Sequence, residues 1–297
     1  MHSIKTLVGD LPDGPDGAAG EGDYTDAEGY LVCGKCRTRK QLEVQLPAFG
    51  GRPARVQRVP VNCHCMQQEV AEEYRRREQR ALQARIDLLR REGITDPACA
   101  RHRFEQDDGA AHDVTALCRR YVDHWAEMRD SNTGMLLYGS VGTGKSYMAC
   151  CIANALLDKG ISACVTSFPR ILAQLQRAFD GERGRTVDRL QRYELLVIDD
   201  LGVERDTAYA LEQVYAVIDA RARAAKPLIV TTNLSPTDLQ TAADLGRRRI
   251  YDRVLELCPI QVKLAGPSRR TQIAADKRQA ARRLLGLEDG PTGDGPR

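Results

Sequence analysis

The stretch "LYGSVGTGKSYMA", Leu137 to Ala149, decides how the rest of the chain is read. An apolar run, "GMLLYGS" over 134–140, leads into it, and helix formers follow it. Gly139-x4-Gly144-Lys145-Ser146 between a strand and a helix is the pattern of a phosphate-wrapping loop. Glycines such as Gly139, Gly142 and Gly144 let the backbone approach the phosphates, and amide donors and a helix N-terminus hold their charge. Lys145 is placed to reach the outer phosphates and the Ser146 hydroxyl to ligate Mg²⁺. Thr143 and Tyr147 complete the candidate nucleotide-binding set. Such a cradle serves kinases, switches, transporters and remodelling machines alike, so the use of the nucleotide must come from other residues.

Working outward, four more apolar runs read as strands: "SACVTS" (162–167), "YELLVIDD" (193–200), "PLIVTTN" (227–233) and "PIQVKLAG" (259–266). Their hydrophobicity is nearly continuous rather than alternating, as a parallel sheet covered on both faces requires. The stretches between them are long enough for helical crossovers. The expected fold is α/β, a three-layer domain over about 100–286 with a five-stranded parallel sheet. "LLVIDD" ends an apolar strand in acid, which is how phosphate-loop proteins place a carboxylate beside the metal. Asp199 is the metal-side candidate and Asp200 the candidate to polarise water; the alternative for Asp200 is a helix or turn cap. Asn233, at the end of "IVTTNL", reaches either the γ-phosphate and its water or nothing more than a turn.

Together these residues resemble the AAA+ ATPases, and more narrowly the DnaC/DnaI-type helicase loaders and their IstB relatives. The resemblance spans about 103–275 and rests on "LLYGSVGTGKSYMACCIANALLDKG", "YELLVIDDLG", "PLIVTTNLS" and "LGRRRIYDRVLE", with "RFEQ" as a lead-in. It implies that Asn233 is a sensor and that Arg253, in "YDR", reaches into a neighbouring subunit's nucleotide. It also implies that Arg270, in "GPSRR", reads the γ-phosphate of its own subunit. A planar guanidinium supplied by a partner suits phosphoryl transfer. Arg247, Arg248 and Arg249 read either as phosphate or nucleic-acid contacts or as a solvated helix face. Asp200 departs from the wider pattern, which carries Glu there; the shorter acid implies slow, switch-like turnover.

The N-terminal third carries a different signal. "CGKC" and "CHC" supply Cys33, Cys36, Cys63 and Cys65, two close thiol pairs suited to a closed tetrahedral Zn²⁺ site. His64 as a replacement ligand and a redox pair are the rival readings. Residues 1–29 read as an acidic, unstructured leader, 30–66 as the zinc-binding module and 67–99 as a connecting helix and linker. Val70, Tyr74, Ala81, Leu82, Ile86 and Leu89 give that helix only a thin apolar stripe. Residues 287–297 read as a loose tail. Arg37, Arg39, Lys40, Arg52, Arg55 and Arg58 make the module basic enough for nucleic-acid contact, yet stacking aromatics are nearly absent. A zinc module before the ATPase is implied by the DnaI side of the resemblance, where it engages the helicase.

The formal net charge is only +3, so nucleic-acid contact must come from local patches. No apolar run approaches the ~18 residues of a membrane span, and the reading is cytoplasmic. The scattered cysteines, among them Cys150, Cys151 and Cys164, read as buried small hydrophobes rather than a disulfide scaffold. Between strands two and three, Arg177, Arg183, Arg185 and Arg189 are candidates for a DNA path or for an ordinary crossover helix. The expected function is an ATP-hydrolysing helicase loader using ATP, Mg²⁺ and Zn²⁺. Its expected partners are single-stranded DNA, a replicative helicase and further copies of itself. The alternatives are an IstB-like transposition ATPase, a zinc-dependent DNA-binding regulator and a P-loop kinase.

Overall fold

Ion pairs and short ribbons, rather than an apolar core, organise the first of two compact units, Met1–Gln83 and Ala84–Arg297. The computed structural model describes residues 19–48, 53–109, 111–177, 182–202 and 207–286, with the side chains of 182, 183 and 272 excluded. In the first unit β1 (Tyr24–Thr25) pairs antiparallel with β2 (Leu31–Val32), and β3 (Gln41–Leu46) with β4 (Arg55–Pro60). The unstructured reading of 1–29 is therefore corrected from β1 onward. Its acids are ion-pair partners: Asp23 holds Lys40, and Asp26 and Glu28 hold Arg39. Residues 1–18 and the expected tail at 287–297 lie outside the described residues.

Helix α1 (His64–Gly93) begins within the second cysteine pair, with Cys65 in its first turn. Every residue from Met66 to Arg85 is exposed, as the thin stripe implies, and burial begins at Ile86. Among the described residues no helix is long and apolar enough to cross a membrane. The helix stops where Gly93 passes so close to the sheet that a Cβ would lie 1.9 Å from the Ala163 carbonyl oxygen. Ile94 then forms a parallel bridge to Val165 and covers a sheet edge that would otherwise present unpaired amides.

The second unit continues through α2 (His112–Asp123), α3 (Trp125–Asp130), β5 (Met135–Tyr138), α4 (Lys145–Asp158) and β6 (Ala163–Ser167). Two helices, α5 (Phe168–Arg177) and α6 (Glu182–Arg192), separate β6 from β7 (Leu195–Leu201). Then come α7 (Ala208–Arg223), β8 (Leu228–Thr232), α8 (Pro236–Gln240), α9 (Leu245–Leu257), β9 (Ile260–Lys263) and α10 (Arg269–Leu284). The five strands form one parallel sheet in the order β6-β7-β8-β5-β9. Alternate strand residues enter two cores: Met135, Leu137, Val197 and Ile229 pack with α2 and α4 on one face. Leu136, Leu196, Ile198 and Val230 pack with α7 and α9 on the other. Each apolar run singled out in the sequence is one of these strands, and the α/β three-layer expectation holds.

At the sheet end opposite the loop, Arg221 of α7 is fully buried. Its guanidinium donates to the carbonyl oxygens of Tyr193, Glu194 and Pro227. Those groups start β7 and β8, so one side chain fixes where two strands begin. Arg221→Ala orphans all three acceptors and opens a cavity. We expect a loss of about 3 kcal/mol, read as a melting temperature lowered by roughly 6–12 °C.

One cysteine expectation fails. Cys99 and Cys150, 51 residues apart, are joined as a disulfide. Asn154 of α4 donates to the carbonyls of Cys99 and His102, which lays the turn at Cys99 against the helix and brings the sulfurs together. Cys118, Cys151, Cys164 and Cys258 are buried free thiols, as the composition suggested. Burial pushes Cys164 up to about 11 and Cys118 and Cys151 up to about 12.

Candidate functional site

The loop between β5 and α4 takes its shape from residues that surround it. Gly139, Gly142 and Gly144 have φ of 140°, 81° and 100°, a region that side chains disfavour. A Cβ on Gly139 would lie 2.1 Å from the Leu264 carbonyl oxygen, and one on Gly142 2.1 Å from Ser268 Oγ. Thr143 Oγ1 donates to the Ser140 carbonyl at 2.9 Å. Lys145 is buried at the first position of α4, and Ser146 follows it half-buried. Its Nζ donates to the carbonyls of Gly139 (2.9 Å) and Ser140 (2.8 Å) and to Asn233 Oδ1 (2.9 Å). The sensor candidate and the loop lysine are therefore in direct contact, which a plain strand-end turn does not explain. Tyr147 faces away from Lys145: its hydroxyl donates to the Arg103 carbonyl at 2.7 Å, and its ring meets His102 at 4.8 Å.

The acids stand at the end of β7, opposite the loop lysine. Burial pushes the Asp200 carboxyl up, Asp199 adds to that, and Lys145 and Arg270 oppose it. Burial lowers Lys145, while Asp200 and Asp199 hold it up. Thr207, not Asp200, caps α7, accepting from Ala210 N–H. Asp199 receives a hydrogen bond of 2.6 Å from Thr231 Oγ1.

The arginines divide into two groups. Arg270, exposed at the start of α10, acts electrostatically on both Lys145 and Asp200. Its neighbour Arg269, which the sequence reading passed over, donates its backbone N–H to the Gly142 carbonyl at 2.9 Å. The Arg269 guanidinium pairs with Asp107 and Asp108 of the lead-in at 3.3 and 3.1 Å. An acid pair directly after "RFEQ" was the available signal for that clamp. Arg253 lies elsewhere on α9, paired with Glu256 at 2.7 Å and Asp219 at 3.7 Å. Arg248 donates to the Ala242 carbonyl at the N-terminal end of the same helix. Arg177 and Arg185 are exposed on α5 and α6, and Arg189 donates to Gln174. The Arg183 side chain lies outside the described residues.

In the first unit the sulfurs of Cys33, Cys36, Cys63 and Cys65 all lie within 4.8 Å of one another. Cys33–Cys65 and Cys63–Cys65 are 3.5 and 3.3 Å apart. A tetrahedral site with Zn–S of about 2.3 Å has sulfur–sulfur edges of roughly 3.8 Å. The donor set therefore fits a structural Zn²⁺, and His64 is not part of it. The Thr38 hydroxyl and the Cys65 amide pull the Cys36 thiol down to about 5. Cys63 and Cys33 push Cys65 up to about 12. Gly34, in the turn between Cys33 and Cys36, also serves close approach: its Cβ would lie 2.0 Å from the Gly22 carbonyl oxygen. Much of the module's basic charge is engaged internally. Arg39 and Arg58 stack on Tyr30 at 4.1 and 4.2 Å, and Arg58 also pairs with Glu43. Arg37 and Arg55 are exposed, and Arg52 lies outside the described residues.

A family model described as "IstB-like ATP binding protein" matches residues 62–277. The chain is 34% identical over 166 residues to a putative ATP-binding protein of insertion sequence IS1162 from Pseudomonas fluorescens, covering 55% of this chain and 70% of that protein. It is 28% identical over 180 residues to the replicative helicase loader DnaI of Bacillus subtilis (strain 168), covering 56% of this chain and 58% of the loader. The crystal structure of the DnaC helicase loader matches with a TM-score of 0.50 at 20% identity, over 57% of this chain and 100% of that one. That likeness concerns the fold, and the large unit has the expected AAA+ fold.

Proposed function

The chain belongs to the IstB-like ATP-binding protein family, and on that premise we propose that it is an ATP-hydrolysing helicase loader acting on single-stranded DNA. The observation that carries the nucleotide part is the meeting of Lys145 Nζ with Asn233 Oδ1 beside the acid pair Asp199–Asp200. In this reading the loop amides, with Gly139, Gly142, Thr143 and Gly144, cradle the phosphates, and Lys145 offsets the charge on the outer ones. Hydroxyl and carboxylate oxygens are the ligands Mg²⁺ prefers, so Ser146 and Asp199 would hold it. When bound, Mg²⁺ neutralises charge that builds on the phosphates. Asp200 accepts hydrogen bonding from the attacking water, Asn233 orients it, and Arg270 meets the γ-phosphate from the same chain. Arg253, whose partners Glu256 and Asp219 are not on the loop, serves a neighbouring copy.

Exposed Arg177 and Arg185, with Arg189, supply charge for a single strand's phosphates. The cysteine module and the exposed stretch of α1 are the adaptor for the replicative helicase. A second reading, a transposition helper ATPase, is favoured by the 34% identity to the insertion-sequence protein. The two share the nucleotide site and differ in partner. Co-purification from its own cells, with bound proteins identified by mass, separates them. The loader reading expects a hexameric helicase and ATP turnover that rises several-fold with single-stranded DNA; a transposase in its place, with turnover indifferent to single strands, would sink it.

A further inference from the structure

We propose that Thr231 is a positioning residue that holds the Asp199–Asp200 acid pair in its working geometry. The inference rests on the ATP-hydrolysing reading above. Strands β7 and β8 pair in regular register as far as Ile198 opposite Val230, and the next pair is Leu201 opposite Thr232. Asp199 and Asp200 thus occupy the space that β8 fills with Thr231 alone, a β-bulge. Asp200 sits at φ 57°, in the left-handed region that few side chains adopt. Where the ladder is interrupted, the Asp200 amide donates to Thr231 Oγ1 at 2.9 Å. The same hydroxyl gives its one proton to Asp199 Oδ1 at 2.6 Å.

A single hydroxyl therefore does two things: it caps the amide that the bulge frees, and it aims the carboxylate proposed for Mg²⁺. Thr231 is fully buried, so water does not replace it easily. Thr232 fastens the other side of the bulge, donating to the Leu201 carbonyl at 2.8 Å and accepting from Leu234 N–H at 3.1 Å. Asn233 follows at once, bonded to Lys145. The strand that carries the sensor candidate thus carries the residue that orients the acids, and the two strands form one mechanical unit. Partners of metal-binding carboxylates act by fixing their orientation, and losing one typically costs about 10–100-fold.

Thr231→Val keeps shape and burial but removes the hydroxyl, whereas Thr231→Ser keeps the hydroxyl. In the full chain, Thr231→Val should lower kcat about 10–100-fold and raise the Mg²⁺ concentration needed for tight nucleotide binding about tenfold. Affinity for a fluorescent ADP analogue in excess chelator should stay within about twofold, because Lys145 and the loop amides are untouched. Thr231→Ser should stay near parental values in all three. If Thr231→Val does not fold, Thr231→Ala removes the hydroxyl with the smaller side chain and carries the same measurements. Parental kcat and Mg²⁺ dependence in the hydroxyl-less variant would overturn the proposal, as would a Thr231→Ser chain equally defective. A parental chain that binds nucleotide without hydrolysing it would end the hydrolysis reading alone, since Mg²⁺-dependent binding still judges Thr231. A parental chain that binds no nucleotide would end both.

Discussion

Lys145→Ala should leave a folded protein whose nucleotide affinity has fallen by about a hundredfold or more. The ammonium is the charge closest to where the outer phosphates would lie, and hydrogen bonds to charged groups contribute about 1.5–3 kcal/mol each. At about 1.4 kcal/mol per tenfold, losing one or two of them reaches that size. The fold should tolerate the change. The three acceptors freed are the carbonyls of Gly139 and Ser140 and the amide of Asn233. Ser140 and Asn233 are exposed, so water can replace the lysine there. Titration with a fluorescent ATP analogue measures the loss, and a melting curve checks the fold. An unchanged affinity with an unchanged melting temperature would place the nucleotide elsewhere in the chain.

The contrast between Lys145 and Thr231 marks what a sequence displays and what it hides. The loop announces itself because its chemistry is local: glycines, a lysine and a hydroxyl fall within eight positions from Gly139 to Ser146. The five strands are legible for a similar reason. Burial on both faces forces continuous apolar runs, and such runs stand out in a chain that is 29% charged. Thr231 carries no such mark. Its role exists only because β7 gains a residue relative to β8, a register event that neither strand encodes alone. The Arg269–Asp107 clamp joins residues 162 positions apart, and the Cys99–Cys150 bond joins residues 51 apart. In both cases the residues come together only through the packing of the lead-in against α4 and the loop.

The acidic segment before Tyr30 misleads for the opposite reason. Composition alone reads Gly, Asp and Glu as a solvated leader. In the folded unit Asp23 also accepts the Gly34 amide at 3.1 Å within the first cysteine turn. Charge that looks repulsive along the sequence is thus matched in space by Lys40 and Arg39. The basic residues suggested a nucleic-acid surface, but Lys40, Arg39 and Arg58 are largely occupied by that matching.

That economy of charge leaves the first unit with little else to hold it, which makes metal removal the most disruptive change open to it. Its ribbons bury few apolar side chains: Val32, Cys33 and Cys63 are its buried hydrophobic residues among those described before α1. Two-stranded ribbons are marginal on their own. A structural Zn²⁺ on four thiolates contributes about 10–16 kcal/mol in small metal-dependent folds, far above what these ribbons supply. Protein purified under reducing conditions should therefore contain about one zinc per chain. Replacing Cys33 and Cys36 with Ser should abolish it. Amide exchange over 20–48 and 53–63 should then rise towards unprotected rates, while the protection of β5 to β9 is unchanged. Nucleotide affinity should also stay at the parental value, because the loop and both cores lie in the second unit. Acidification should release the metal as the thiolates gain protons, so zinc content falls as pH drops and returns when it is raised. Protein free of zinc with full protection over 20–48 and 53–63 would show that ion pairs alone hold the unit together and would remove the metal site.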